Sequence, residues 1–117
     1  LNVTERGGKI HLCALSALQD TDSRGFSVAM NSVVRDIFLV HKAGQVFGYV
    51  NSCPHTGAPL DWIADRFLDL NGSFIQCATH DARFRIEDGR CVAGPCNGAS
   101  LTSVQLEVIE NEVFLIR

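Results

Sequence analysis

The sequence predicts an all-β domain, and three observations carry that expectation. Short β-rich runs recur at regular spacing, turn-forming residues separate them, and no stretch sustains a helical period. Residues 9–13 come first and alternate, with Ile10 and Leu12 on one face and His11 on the other, as in a half-buried strand. Residues 15–19 allow one helical turn. Phe26, Val28 and Met30 then alternate in the same way. Residues 36–41 and 45–50 are two β-rich runs separated by Lys42, Ala43 and Gly44, the spacing of a hairpin with glycine in its turn. Residues 73–77 and 82–86 follow. Glu87, Asp88, Gly89 and Arg90 come next, and their Asp-Gly step is a strong turn signal. Residues 102–109 and 112–116 pair around Glu110 and Asn111. Only residues 61–70 have no clear period, although Asp61, Asp65 and Asp69, four apart, would form an acidic face if they were helical. Such strand spacing favours a sandwich or a barrel.

Length and charge narrow the functional classes. With 117 residues and 46% hydrophobic composition, residues 1–117 fit one domain with one modest core and leave little room for a large substrate pocket. The net charge is −3 and no run of Lys or Arg exceeds two residues, which argues against nucleic acid or anionic lipid as partners. No apolar run approaches the ~18 residues that span a bilayer, and no charged-then-apolar leader opens the chain. A soluble, cytoplasmic protein with no membrane partner is therefore expected.

The five cysteines, Cys13, Cys53, Cys77, Cys91 and Cys96, are an odd number, which a fully paired disulfide framework cannot use. Reduced thiols or metal ligands gain weight accordingly. Two loops concentrate the relevant chemistry. Residues 51–60 hold Cys53, Pro54, His55, Gly57 and Pro59, so turn formers and soft ligands coincide there. After a spacer of 21 residues, the second stretch runs Cys77-Ala-Thr-His80. A tetrahedral zinc site normally groups its cysteines together and its histidines together. Here each loop offers one thiolate and one imidazole, which suits a two-iron cluster with two thiolates on one iron and two imidazoles on the other.

Cys53-Pro-His55-Thr-Gly57 with Cys77-Ala-Thr-His80 resembles the Rieske [2Fe–2S] motif. The likeness continues through Phe84, Asp88-Gly89 and Gly94-Pro95, and covers roughly residues 36–117. It implies a Rieske fold, an antiparallel β-sandwich base with a cluster-binding subdomain of two loops at about residues 51–84. It also implies that Cys53 and Cys77 bind the inner iron and His55 and His80 the outer one. The implied function is one-electron transport of the ferredoxin type, with a flavin-dependent reductase as donor and a terminal oxygenase or reductase as acceptor. The chain would be an electron-transfer component rather than a catalyst by itself.

Departures from the high-potential, respiratory branch are informative. That branch joins its two loops by a disulfide, where this chain has Ala58 and Thr79, and aims a Ser and a Tyr hydroxyl at sulfur, where it has Ala82 and Phe84. Such hydroxyls stabilise the more negative, reduced state. Their absence implies a potential near the bottom of the range of about −150 to +300 mV. Asp81 stands where glycine is common; Asp tolerates a left-handed backbone, and its carboxylate beside an imidazole edge would favour protonated histidine and could shape docking.

The remaining candidates have plainer readings. Cys91 and Cys96 flank Gly94-Pro95 and could form a regulatory disulfide, but two small packed residues is the simpler account, as it is for Cys13. His11 and His41 read as strand residues rather than ligands. Trp62 and Phe67, in the spacer, read as a hydrophobic cover over the loop base sooner than as a docking knob. Three other functions compete: a small Rieske-like subunit of a nitrite-reductase-type oxidoreductase, a redox-sensing module, and a zinc-bound structural domain.

Overall fold

The computed structural model describes residues 5–6, 8–30, 33–54, 57–61, 63–78, 81–95 and 98–116. Among them run β1 (Glu5–Arg6), β2 (Lys9–Ala14), β3 (Asp22–Met30), β4 (Val33–Lys42) and β5 (Gln45–Val50), then β6 (Phe74–Gln76), β7 (Arg83–Arg85), β8 (Cys91–Ala93), β9 (Leu106–Ile109) and β10 (Glu112–Ile116). One 3-10 turn, Leu15–Ala17, stands where a helical turn is expected. The strands form three antiparallel sheets ordered β1-β2-β10-β9, β3-β4-β5 and β6-β7-β8. No described helix is long and apolar enough to cross a membrane.

β4 explains the layering. Its run Ile37-Phe38-Leu39-Val40 is buried at all four positions, because successive strand side chains point to opposite faces and here both faces are covered. Ile37 and Leu39 join Ile10, Phe26, Val28, Val113 and Leu115 in one core, against the β1-β2-β10-β9 sheet. Phe38 and Val40 join Tyr49, Phe67, Ile75 and Phe84 in the other, against β6-β7-β8. Both expected loop cysteines, Cys53 and Cys77, belong to this second core.

The turns follow local chemistry. Ala43 (φ 54) and Gly44 (φ 77) make a two-residue turn between β4 and β5, one residue tighter than the sequence spacing suggests, and the amide of Ala43 donates to Asp20 Oδ1 at 2.6 Å. Paired positive φ values also turn the chain at Glu110 and Asn111. This geometry matches the right-handed twist of the strands it joins. Gly89 closes the β7–β8 turn by donating to the Arg85 carbonyl at 2.9 Å.

The described residues within 61–70 are not helical, so the acidic face that a helix would have made does not form. Each carboxylate is instead used singly: Asp61 accepts from Asn51 Nδ2 at 3.0 Å, Asp65 from the amide of Gly25 at 2.8 Å, and Asp69 from the amides of Ser73 and Phe74. Residues 102–105 belong to no strand, yet they run beside β5 and β10: the amide of Val50 donates to the Thr102 carbonyl at 2.8 Å, that of Val104 to the Gly48 carbonyl at 2.9 Å and that of Ile116 to the Gln105 carbonyl at 2.9 Å, and Ser103 bridges to Tyr49. The short strands β1 and β8 carry too few residues for alternation to be legible.

Candidate metal centre

The first loop leaves β5 and curls around Cys53. The amide of Cys53 donates to the Ala58 carbonyl at 2.8 Å and the amide of Gly57 donates back to the Cys53 carbonyl at 2.7 Å. Gly57 takes φ +77, which side-chain-bearing residues rarely adopt, so glycine is needed for this return. Asn51 clamps the loop base: its Oδ1 accepts from the amide of Leu60 at 2.8 Å while its Nδ2 holds Asp61.

The second loop connects β6 to β7 and is closed by the amide of Cys77 donating to the Ala82 carbonyl at 2.8 Å. Asp81 takes φ 57, the left-handed conformation expected for it, and its carboxylate accepts from Gln76 Nε2 on β6. A main-chain bond from Ala78 to the Leu60 carbonyl, 2.9 Å, ties the two loops together. A third stretch, residues 91–95, leans on the second loop. There Gly94 has φ +98 and lies so close that a Cβ on it would stand 2.8 Å from Ala82 Cα.

This arrangement buries the Cys53 and Cys77 side chains, 3% and 1% exposed, at the inner ends of two linked loops and among Leu60, Phe84, Ile86 and Leu101. Soft sulfur donors in an apolar, water-poor setting suit a metal that binds thiolates. His55, Thr56, Thr79 and His80 lie outside the described residues, as do Trp62 and Cys96. Ala82 and Phe84 are buried at 1% and 0%, and neither carries a hydroxyl to aim at sulfur.

The other candidates are structural. Cys13 is buried in β2, where desolvation pushes its thiol above the ordinary range; Arg24 lowers it and Glu112 raises it further. Cys91 is 1% exposed and its thiol donates to the Ala93 carbonyl at 3.2 Å. His41 Nδ1 lies 2.7 Å from the Leu18 carbonyl, and His11 Nε2 lies 2.5 Å from Glu112 Oε1. Phe67 is fully buried and stacks on Phe38, with centroids 4.2 Å apart and planes at 5°, which makes it a cover and not a knob. Among the described residues, no group of three His, Cys, Asp or Glu side chains could hold a metal ion. Asn51 and Gln76 position the loops, yet a single polar side chain at a strand end leaves no pattern by which to find it in the sequence.

Comparison with known proteins agrees with this geometry. The Rieske [2Fe-2S] domain matches residues 9–115. Curated protein sequences yield no match. Among solved structures, the ferredoxin of carbazole 1,9a-dioxygenase from Nocardioides aromaticivorans IC177 is similar at 19% identity, covering 94% of this chain and 98% of that one with a TM-score of 0.72. A chain from the complex of reduced oxygenase and oxidized ferredoxin in carbazole 1,9a-dioxygenase is similar at 24% identity, covering 95% and 94%, with a TM-score of 0.74. A candidate NADH-dependent nitrite reductase small subunit from Mycobacterium tuberculosis follows at 23% identity, 93% and 94% coverage and a TM-score of 0.67. At these identities the structural likeness speaks for the fold. With two buried thiols on linked loops, a nearly all-β architecture and a match over almost its whole length, this chain belongs to the Rieske [2Fe-2S] domain family.

Proposed function

We propose that this chain is a one-electron carrier of the ferredoxin type, in which Cys53, His55, Cys77 and His80 hold the [2Fe–2S] cluster and residues 51–84 act as the cluster-binding part of a single unit. The observation that carries the reading is the pair of buried thiols, Cys53 and Cys77, each enclosed by a main-chain turn and joined through the Ala78–Leu60 bond. The bound cluster supplies reversible uptake of one electron, at a potential raised by its two neutral imidazoles relative to an all-thiolate site. The chain's own contribution is positional. Asn51 holds the base of the first loop, Gln76 and Asp81 brace the second, and Leu60, Phe84 and Leu101 keep water from the thiols. Ala82 and Phe84 offer no hydroxyl, which favours a potential near the bottom of the range of about −150 to +300 mV.

A concavity of about 430 Å³ lies between the start of β3 and residues 64–70 and is lined by none of residues 51–60 or 77–82. The complex of oxygenase and ferredoxin supports a terminal oxygenase as acceptor; the family resemblance adds a flavin-dependent reductase as donor, and the cytoplasm is the proposed location. A second reading, a small subunit of a nitrite-reductase-type oxidoreductase, draws on the likeness to the nitrite reductase small subunit. An obligate complex with a large redox subunit favours the latter, and free exchange with a reductase the former.

Metal analysis and visible spectroscopy of the purified chain are the test. About two irons and two acid-labile sulfides per chain are expected, with a brown colour that bleaches on reduction. One zinc per chain and no colour would overturn the reading. Potentiometry checks the low potential, which a midpoint well above zero contradicts.

A further inference from the structure

Three stretches form one continuous end of the molecule. The Ala78–Leu60 bond joins the first loop to the second, and the close approach of Gly94 to Ala82 joins the third to the second. Pro54, Gly57, Pro59, Val92, Ala93, Gly94 and Pro95 are exposed there. Within residues 51–60, 77–82 and 91–98 the sequence contains a single Asp, Glu, Lys or Arg, namely Asp81, beside the two histidines His55 and His80, although these four residue types make up 20% of the chain. Asp81 is exposed, and Gln76 fixes it in place. Gln76 is neutral, so it orients the carboxylate without cancelling its charge. Neighbouring charges are differently engaged: Asp61 is held by Asn51, Arg83 faces Asp69 at 4.0 Å, and Arg85 pairs with Asp88 at 3.3 Å.

We propose that Asp81, braced by Gln76, is the specificity-determining charge of an electron-exchange end that has no other Asp, Glu, Lys or Arg, selecting a redox protein that presents apolar surface around one Lys or Arg. Charge complementarity carries the choice of partner: a small-residue apolar face supplies contact without direction, and a lone fixed carboxylate supplies the register. The inference rests on the carrier reading above. It also limits the range of attraction, because a single charge steers weakly and is screened within about 10 Å at 0.1 M salt.

Outer-sphere oxidants of opposite charge test it without the natural partner. The iron-loaded chain, reduced by dithionite, gives one electron either to hexaamminecobalt(III), forming cobalt(II), or to ferricyanide, forming ferrocyanide. At low ionic strength Asp81→Asn is expected to slow the cationic oxidant roughly three- to tenfold and to speed the anionic one, with the difference vanishing near 1 M salt. Gln76→Glu, which adds a charge beside Asp81, should move both rates the other way. Glu110→Gln changes net charge equally, but in the β9–β10 turn, and should alter neither by more than about twofold. Rates that ignore Asp81, or that respond equally to Glu110→Gln, in a chain still loaded with iron overturn this inference alone. A chain that binds no iron removes the carrier reading as well.

Discussion

Gly94→Ala is the substitution whose cost can best be worked from the geometry. Gly94 has φ +98, and a methyl group placed on it meets Ala82 Cα at 2.8 Å and Ala82 N at 3.3 Å, both backbone atoms that cannot rotate away. The unfavourable backbone conformation costs about 1–2 kcal/mol. Forcing residues 91–95 off the second loop costs about 1–3 kcal/mol more, as overpacking does elsewhere. The sum, about 2–5 kcal/mol, is a large part of a typical stability of about 5–15 kcal/mol. Urea unfolding followed by circular dichroism should show the midpoint lowered by about 1–2 M, and thermal melting a Tm lower by about 10 °C. Gly44→Ala is the matched control. Gly44 has φ +77 with nothing within 4 Å of the added carbon, so only the backbone term, about 1 kcal/mol, applies. Because the displaced stretch covers the second loop, Gly94→Ala should also lose iron faster under a chelator, and Gly44→Ala should not. Equal destabilisation of the two variants, with equal iron retention, would refute the claim that Gly94 seats the third stretch on Ala82.

Two further outcomes probe the second core. Phe67→Ala removes a fully buried ring stacked on Phe38 and should lower the unfolding free energy by about 3–5 kcal/mol in urea titration; a loss under 1 kcal/mol would return Phe67 to the surface role. Tyr49 donates to the Ile86 carbonyl at 2.5 Å, and burial, reinforced by Asp88 and Glu87, pushes its phenol up to about 12. The folded state therefore favours the protonated phenol, so this stabilisation is complete below pH about 10 and disappears as the pH climbs through about 12. Tyr49→Phe should cost about 1–2 kcal/mol at pH 8 and then lose less stability than the parent between pH 10 and 12, measured as urea midpoints.

The hairpins were legible because their signals are local. Alternation marked β2 and β3, glycine and Asp-Gly marked the turns at 43–44 and 88–89, and the break between two β-rich runs marked the turn at 110–111. The paired motif around Cys53 and Cys77 was legible for the same reason, since each half spans no more than about ten residues and in the first the turn formers Pro54, Gly57 and Pro59 are adjacent to the donors. Residues 61–70 were not. Their acidic spacing of four imitates a helix, whereas what decides their path is distant: Ser23 Oγ donating to the Asp65 carbonyl at 2.7 Å, the Asp65 carboxylate on the amide of Gly25, and the ring of Phe67 against Phe38. These partners lie about 25–45 residues away in the chain, and no local pattern encodes them.

The amino-acid sequence by itself determined the family and the donor set to be tested, Cys53, His55, Cys77 and His80, because spacing within a short loop already restricts where side chains can converge. It also determined that Ala82 and Phe84 bring no hydroxyl to the sulfurs. Only the tertiary structure decided which residues hold the loops: Asn51 at the base of the first, Gln76 on Asp81 in the second, and Gly94 pressed on Ala82. Those contacts arise when β4, covered on both faces, brings separate stretches to a common core. Their energy depends on that convergence and so leaves little trace in the residues taken one segment at a time.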